Sequence, residues 1–351
     1  MGTYFKLKTK VEVLVSSGKS AERFVVTSLG GYFPVIAQAP DGTLAVVARD
    51  GDIHIGQRGR LGLTVSHDRG ESWSHLIPIA YERVDIRNPA FGITSTNRWI
   101  LAYISYDCYE NGFWRVTEKT SPLTFIRYSS DQGQNWSEPI KLCVTGLKWF
   151  SPYGKIIEVE KGMLLMCGYN HIGAYLLRSS DDGKTWEGSL ISEGFNETAI
   201  LALSARRFIA VMRRNAAMSE AELWQVESKD GGYTWSKPRR ITGPAEHPGD
   251  LLLLRSGDVL LSFGHRRPPY GVRAVISEDG GKSWRSERTL VLISDCSTWD
   301  VGYPSSVQLP DGSIYTVYYA HDSMGAIKQG DNYPIGVYAG GIRYQEELLY
   351  S

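Results

Sequence analysis

Tyrosines, arginines, histidines and carboxylates recur in this chain at the ends of apolar or alternating segments, where they could bind or transform a small polar ligand. We call this set the candidate rim; in chain order it comprises Tyr32, Arg49, Asp50, Asp52, Arg87, Asn88, Tyr106, Asp107, Tyr153, Tyr169, His171, Asn196, Glu197, Arg213, Arg214, His247, His265, Arg266, Arg267, Asp300, Tyr303, His321 and Asp322. Gathered around a depression, such residues form a polar-lined pocket. Its arginines favour an anionic or richly hydroxylated ligand, because the guanidinium fork matches a carboxylate. Single members have simpler explanations: Arg214 or Arg266 could be solvated, and His247 and His265 could be structural.

The elements that must position these residues are marked by an eight-residue motif that occurs five times. Ser-x-Asp-x-Gly-x-x-Trp stands at 66–73, 129–136, 179–186, 228–235 and 277–284, and its aspartates are 63, 50, 49 and 49 residues apart. A period in this range indicates a bladed or solenoid architecture. In each copy Asp accepts backbone hydrogen bonds, Gly allows a positive φ and Trp covers the turn. We therefore predict hairpin turns with a structural rather than a catalytic role.

Each repeat contains four segments typical of strands, with the motif between the third and the fourth. An insertion at 106–120 explains the 63-residue spacing, and it could be a functional loop or pack onto its own repeat. A sixth unit begins at Gly302 but lacks the motif and a fourth strand. The N-terminal strand at about 8–16 is expected to complete it, because this pairing removes a free sheet edge. We predict an all-β fold in which residues 1–351 form a single six-bladed β-propeller of four-stranded antiparallel blades.

Strand order in such a blade sorts the polar residues between two rims. The start of the innermost strand and the end of the second strand lie on one rim, which is the candidate rim. The turns between first and second strands, and the repeated motifs, lie on the other.

The composition excludes several classes of partner. Lys+Arg and Asp+Glu are both 38, so no global field attracts nucleic acid or an acidic membrane surface. The four cysteines form no CxxC pair and no metal-ligand spacing, and we expect neither a metal nor a cofactor. The chain shows no signal-peptide apolar region and no stretch of membrane-spanning length. These features predict a cytoplasmic protein, although a secreted form without its leader would read the same.

The five motifs, the six units and the candidate rim together resemble the sialidase or neuraminidase superfamily over essentially the whole chain, and the motifs are of the type called Asp-boxes or BNR repeats. The segment NETAILAL followed by RRFIAVMR is similar to the sialidase strands that carry a glutamate and an arginine, which implies these roles for Glu197 and Arg213. The segment YPSSVQLPDG is similar to the one that begins with the nucleophilic tyrosine, here Tyr303. An arginine one strand before the fifth motif points to Arg267, with Arg266 as the near alternative.

The resemblance implies a particular division of labour. Phenol has a pKa near ~10 and needs a base, so Glu197 would assist Tyr303. Sialidases are the tyrosine exception among glycosidases. Their general acid comes from the first blade, which nominates Asp50 or Asp52, with Asp50 favoured because it directly follows a strand. The remaining substrate contacts are assigned to the nearby rim residues Arg49, Arg87, Tyr32, Tyr153 and His265.

The chain departs from the superfamily at the first of its three carboxylate-binding arginines. Where sialidases have Tyr/Phe-Arg-Ile-Pro, this chain has Gly31-Tyr32-Phe33-Pro34. Loss of that arginine forfeits charge-assisted hydrogen bonds worth roughly 1.5–3 kcal/mol each. Either Arg49, Arg58 or Arg87 supplies the charge, or the substrate is another sugar such as a uronic acid or an uncharged unit.

Three functions follow from these features. The first is an exo-acting retaining glycosidase that releases a terminal, acidic sugar from an oligosaccharide or glycoconjugate. The second is a uronate-processing polysaccharide lyase, in which tyrosine and histidine act as base and acid. The third is a carbohydrate-binding propeller without catalysis.

Overall fold

Short antiparallel strands make up nearly all the regular structure. The structure, a computed structural model, describes residues 8–11, 21–28, 30–110, 113–114, 122–321 and 336–350. In chain order its strands are β1 (Lys8–Val11), β2 (Ala21–Thr27), β3 (Tyr32–Gln38), β4 (Leu44–Asp50), β5 (Arg60–Ser66), β6 (Ile77–Ala80), β7 (Asp85–Ile93), β8 (Trp99–Tyr106), β9 (Tyr109–Glu110), β10 (Phe113–Trp114), β11 (Leu123–Ser129), β12 (Ile140–Lys141), β13 (Ser151–Glu160), β14 (Met163–Tyr169), β15 (Gly173–Ser179), β16 (Glu187–Glu193), β17 (Phe195–Ala202), β18 (Phe208–Arg214), β19 (Leu223–Ser228), β20 (Arg239–Arg240), β21 (Glu246–Leu253), β22 (Val259–His265), β23 (Gly271–Ser277), β24 (Leu290–Ile293), β25 (Gly302–Gln308), β26 (Ile314–His321) and β27 (Val337–Tyr344). Two 3-10 turns lie at Ser286–Arg288 and Glu346–Leu349. None of the helical segments that the structure describes is long and apolar enough to cross a membrane.

The strands form small antiparallel meanders in a propeller-like arrangement, which confirms the all-β prediction. Three meanders are separate four-stranded sheets: β3 to β6, β17 to β20, and β21 to β24. Two more, β7-β8-β11-β12 and β13 to β16, share one eight-stranded sheet because β13 and β7 pair in parallel over two residues. The first strands of the units contact one another in the cyclic order β3, β7, β13, β17, β21, β25 and back to β3.

An N-terminal strand completes the last sheet, but it is not the predicted one. The sheet order is β1-β2-β27-β26-β25, so β2 pairs with β27 and β1 lies outside β2. The prediction gave this place to about 8–16; Lys8–Val11 instead forms the outer edge, and 12–16 lie outside the described residues. The physical reason is burial, because β2 packs apolar side chains on both faces, including Phe24, Val25 and Val26. Such a strand is stable only inside a sheet.

Apolar side chains from neighbouring sheets pack together between them. The cluster between the first two meanders includes Val47 and Leu61 from one side and Phe91, Trp99 and Tyr103 from the other. Because adjacent sheets share such clusters, the position of each first strand depends on its neighbours.

The repeated motif forms the turn that its residue types predict. In the first copy the Ser66 hydroxyl donates to Asp68 (2.8 Å) and accepts from the backbone N–H of Gly70 (2.8 Å). Asp68 also accepts from the backbone N–H of Ser72 (2.9 Å), and Gly70 has φ 84°. The other four copies repeat the serine, aspartate and glycine contacts. The hydrogen bonds of these side chains hold the turn.

Trp73 links the first sheet to the last. Its indole N–H is placed to donate to the Gly70 carbonyl (3.2 Å) and to the Tyr315 hydroxyl on β26 (3.2 Å).

We expect Trp73→Ala to lower the free energy of unfolding by about 3–5 kcal/mol, because a large buried side chain is lost. Urea unfolding followed by tryptophan fluorescence measures this. Gln134→Ala, at an exposed position of the second motif, should change the free energy of unfolding by less than about 0.5 kcal/mol. If the two variants lowered this free energy equally, Trp73 would not stabilise the contact between the first and last sheets.

Candidate active site

Tyr303, Glu197 and Arg213 meet in a buried hydrogen-bonded group at the ends of three strands. The Tyr303 hydroxyl on β25 donates to Glu197 Oε1 on β17, across 106 residues of sequence. Arg213 Nη1 on β18 donates to the other carboxylate oxygen at 2.7 Å. The Glu197 and Tyr303 side chains are both buried. A hydroxyl on a carboxylate that is fixed by a guanidinium is the arrangement that base-assisted nucleophilic attack requires.

A recurring backbone irregularity aims these side chains. In all six first strands the pairing with the second strand shifts register near the start, for example between Gly302 and Ser305 in β25. Tyr303 has φ 49°, and Phe33 and Asn88 at the equivalent places in β3 and β7 have φ 54° and 52°. A bulge of this kind redirects a side chain out of the strand's normal alternation. In β25 and β3 the residues at the bulge, Tyr303 and Phe33, lie against each other in the site.

The charges of the group are set by its burial and by its arginines. Burial raises the pKa of Glu197, but Arg213, the Tyr303 hydroxyl and Arg266 outweigh it, so the net pKa lies below the ordinary value. Burial, followed by the negative charge of Glu197, raises the pKa of Tyr303 well above 10. At neutral pH the tyrosine is thus neutral and the glutamate is ionised.

Arg266, not Arg267, lies against this group. Its guanidinium carbon is 5.5 Å from the centre of the Tyr303 ring, and its side chain is buried. Nη1 contacts the sulfur of Met218 at 3.4 Å, whereas Nε and Nη2 are buried without a hydrogen-bond partner among the described residues. A buried guanidinium with free donors is suited to hold an anionic group of a ligand.

Arg267 and His265 belong to a separate carboxylate, Glu246. Arg267 Nη2 lies 3.0 Å and His265 Nδ1 lies 3.1 Å from Glu246 Oε1. The Arg267 side chain is 51% exposed. The structure therefore brings the alternative from the sequence, Arg266, to Tyr303 and leaves Arg267 on the outer surface.

Arg49 and Arg87 are held by a buried carboxylate that the sequence analysis did not single out. Asp85 accepts from Arg49 Nη2 (2.9 Å), from Arg87 Nε (2.7 Å) and from the hydroxyl of Tyr109 (2.7 Å). Arg49 also donates to the carbonyls of Asp52, Ile53 and Gly56. Both guanidiniums are thus engaged in the scaffold. Tyr109 lies in the 106–120 insertion, and its hydroxyl thus ties that insertion to β7 of its own unit.

Asp50 and Asp52, the two candidate acids, are occupied by other contacts. Both oxygens of Asp50 accept from Arg60, at 2.9 and 3.0 Å. Asp52 accepts from the backbone N–H groups of Ile53 (2.9 Å) and Arg58 (3.0 Å). Burial raises the pKa of Asp52, but those two N–H groups outweigh it and lower the pKa overall. In the part of the chain that the structure describes, neither carboxylate hydrogen-bonds to Tyr303 or Glu197.

A second cluster, centred on Asp300, lies beside the first. Asp300 hydrogen-bonds to His54 Nδ1 (3.0 Å), His321 Nε2 (3.0 Å) and the Tyr319 hydroxyl (2.5 Å). Burial raises the pKa of Asp300, but His321 and His54 outweigh it and hold the pKa far below its usual value. The candidate rim includes Asp300 and His321 but omits His54, which lies in an irregular loop where no period marks it. Only its position four residues after Asp50 could have indicated it.

Aromatic rings join the two clusters into one surface. The ring of Tyr303 lies 4.8 Å from that of Phe33, 5.6 Å from that of Tyr319 and 6.0 Å from that of Tyr153. Tyr32 meets His54 edge-on at 5.3 Å. Burial, followed by the charge of Asp300, raises the pKa of Tyr32 to about 12. A ring-lined floor with polar groups at its edge suits a sugar.

His247 borders the guanidinium side of the site as a neutral group. Its Nε2 lies 2.9 Å from the carbonyl of Met218. Burial, then the charges of Arg266 and Arg213, lower its pKa to about 3. No group of three or more His, Cys, Asp or Glu in the described ranges could hold a metal ion.

The chain is similar to a described protein family and to a curated relative. Residues 81–316 match the family described as BNR repeat-like domain. A sialidase of Bacteroides fragilis is 23% identical across 77% of this chain and 56% of that protein, so the chain spans about half the length of this curated relative.

Solved structures show the same fold. A protein of unknown function from Dyadobacter fermentans superposes with a TM-score of 0.76 at 20% identity, covering 97% of this chain and 99% of that one. The NanB sialidase from Streptococcus pneumoniae superposes with a TM-score of 0.68 at 14% identity, covering 96% of this chain and 71% of that one. At these identities the likeness establishes the fold alone.

The engagement of Arg49 and Arg87 by Asp85 can be tested directly. Asp85→Asn would leave two guanidiniums facing a neutral amide, and we expect it to lower the free energy of unfolding by about 3–5 kcal/mol. Asp182→Asn is the matched control, because its partner Arg98 is partly exposed and Asn also tolerates the φ of 62°. That change should cost less than about 1 kcal/mol. Similar urea midpoints for the two variants would contradict a scaffold role for Asp85.

Proposed function

Because the chain belongs to the BNR repeat-like domain family, we propose that it is an exo-acting retaining glycoside hydrolase that releases a terminal, acidic sugar from an oligosaccharide or glycoconjugate. The observation that carries this proposal is the buried hydrogen bond from the Tyr303 hydroxyl to the Glu197 carboxylate. The sialidases to which the chain is similar support the class of reaction and of substrate.

The proposal includes the ring that positions this pair. The six antiparallel units are taken as blades of one closed, six-bladed propeller, with β2 as the fourth strand of the last blade. The cyclic contacts among the six first strands support this count. The pairing of β2 with β27 supports the closure.

Tyr303 would attack the anomeric carbon while Glu197 takes its proton. The raised pKa of the phenol keeps it neutral until then, and the lowered pKa of Glu197 keeps the base ionised. A neutral nucleophile approaches an anomeric centre that bears a carboxylate with less repulsion than a second carboxylate would. The product of this step is a glycosyl-tyrosine that water then hydrolyses with retention of configuration.

Arg266, assisted by Arg213, would bind the acidic group of the sugar. Arg266 offers Nε and Nη2, and Arg213 offers Nε, all buried and without partners among the described residues. Tyr32 stands at the position of the first sialidase arginine, and Arg49 and Arg87 are engaged by Asp85. The site therefore favours a sugar whose single carboxylate is satisfied by two guanidiniums.

The mechanism predicts a large loss of turnover when either member of the pair is changed. Tyr303→Phe and Glu197→Gln should each lower kcat by about 10²–10⁴, since the nucleophile or its base is removed. Aryl glycosides of sialic, ulosonic, uronic and neutral sugars identify the substrate, and NMR of the first product reads its anomer. Tyr233→Phe, an exposed tyrosine in the fourth motif, should leave kcat unchanged. An unsaturated uronate product would instead identify a lyase, and glycan binding without turnover would identify a binding protein.

The adjacent arginines make a matched test of carboxylate binding. Arg266→Gln should lower kcat/KM for the acidic substrate by roughly 10–150-fold, the equivalent of one charge-assisted hydrogen bond of about 1.5–3 kcal/mol. Arg267→Gln should change it little, because that side chain is half-exposed and bound to Glu246. Steady-state kinetics on both variants measure this difference in kcat/KM. A larger loss in Arg267→Gln than in Arg266→Gln would place the anion site on the outer surface, at Arg267.

A further inference from the structure

We propose that His54, oriented by Asp300, is the acid and base of the reaction: it protonates the departing glycosidic oxygen and then deprotonates the incoming water. This inference rests on the proposed function and assigns to a histidine the role that the sequence resemblance gives to Asp50 or Asp52.

His54 stands over the same aromatic floor as the nucleophile. The His54 ring meets that of Phe33 at 5.0 Å, and the Phe33 ring meets that of Tyr303 at 4.8 Å. The His54 side chain is 27% exposed, so a ligand above Phe33 can reach it. Phe33 therefore contacts both the proposed acid and the proposed nucleophile.

Asp300 defines which imidazole nitrogen faces the ligand. Its carboxylate accepts a hydrogen bond from the N–H group at Nδ1 of His54, which lies 3.0 Å from one oxygen and 3.1 Å from the other. Nε2 is left as the nitrogen that exchanges protons with a ligand, and the buried carboxylate stabilises the imidazolium. Asp300 is therefore a positioning residue in this scheme.

The two aspartates of the same loop are unsuited to the role. Asp50 is held at both oxygens by Arg60, and Asp52 accepts two backbone N–H groups that keep its pKa low. A general acid must carry a proton near the working pH. The oxygens of Asp50 and Asp52 all accept hydrogen bonds from fixed donors, whereas the contact of His54 with Asp300 engages only Nδ1.

The presence of Tyr32 at the arginine position fits this assignment. Its ring lies edge-on to His54 at 5.3 Å and to His321 at 5.7 Å. A guanidinium there would face both imidazoles and oppose their protonation. Arg49 donates to the carbonyls of Asp52 and Ile53, just before His54, but its guanidinium is paired with Asp85.

The loop around His54 also offers a surface for the departing group. Ile53 and Ile55, its sequence neighbours, are exposed, and so is Trp299 next to Asp300. Exposed apolar side chains at the edge of a polar pocket are suited to contact the ring faces of a leaving saccharide.

The two steps balance in atoms and electrons. In the first, Tyr303 Oη bonds to the anomeric carbon and gives its proton to Glu197. The bond from that carbon to the glycosidic oxygen breaks, its electron pair stays on the oxygen, and the oxygen receives the proton of His54 Nε2. In the second, Nε2 takes a proton from water, whose oxygen bonds to the anomeric carbon, while Tyr303 leaves and recovers its proton from Glu197.

The test compares two leaving groups on the sugar that the unmodified protein cleaves. With a saccharide leaving group, His54→Gln should lower kcat/KM by about 10²–10⁴, because the oxygen departs only when protonated. With 2,4-dinitrophenolate, which needs no proton, the fall should be far smaller. Added azide should restore turnover of His54→Ala on the dinitrophenyl substrate and give a glycosyl azide of retained configuration. Asp300→Asn should show the same dependence on leaving group in weaker form, and His67→Gln, an exposed histidine at the first motif, should show none.

Each outcome bears on a different claim. Equal losses on both substrates, or no azide product, would overturn the role of His54 and leave the glycosidase intact. A leaving-group-dependent loss in Asp52→Asn rather than in His54→Gln would return the role to the aspartate. An unmodified protein that cleaves no glycoside in the screen would overturn the proposed function, and the inference would fall with it.

Discussion

The site depends on one buried carboxylate, Glu197, that is stabilised from two sides. A charge in this place is tolerable only because Arg213 and the Tyr303 hydroxyl each reach one of its oxygens. The three residues come from β17, β18 and β25, so the strands must hold their positions within hydrogen-bond tolerance across 106 residues of sequence. The packed sheets and the motif turns at their opposite ends serve this requirement, because every displacement of a first strand would expose or unpair the charge.

Much of this could be predicted from the sequence because the motif carries phase as well as period. It locates the end of the third strand in five of the six units, and the direction of the other strands in those units follows. The all-β architecture and the proximity of Glu197, Arg213 and Tyr303 were within reach for that reason. However, the alternation of side chains along a strand does not indicate which way the residues after its last position point. β22 ends at His265, and the sequence alone could not tell whether Arg266 or Arg267 points inward.

Other features were beyond prediction because they depend on tertiary partners. Nothing local to Arg49 or Arg87 reveals that Asp85 binds both, and nothing local to Asp50 reveals Arg60. The bulges in the six first strands interrupt the alternation on which a strand assignment relies. The closing strand was misplaced because the chain has two N-terminal segments typical of strands, and it is β2, with its buried side chains, that pairs with β27.

The pairing of β2 with β27 has a consequence for the timing of activity. Glu22 lies opposite Arg343 in this ladder, so the last sheet cannot be completed until both ends of the chain have been synthesised. Closing so long a loop is slow relative to the local meanders, which are free to fold as they emerge. Tyr303 and His321 lie on β25 and β26 of that same sheet. A nascent chain that has not yet reached β27 would therefore carry the Glu197–Arg213 pair without an ordered Tyr303, and the proposed activity would begin only once β27 has paired with β2.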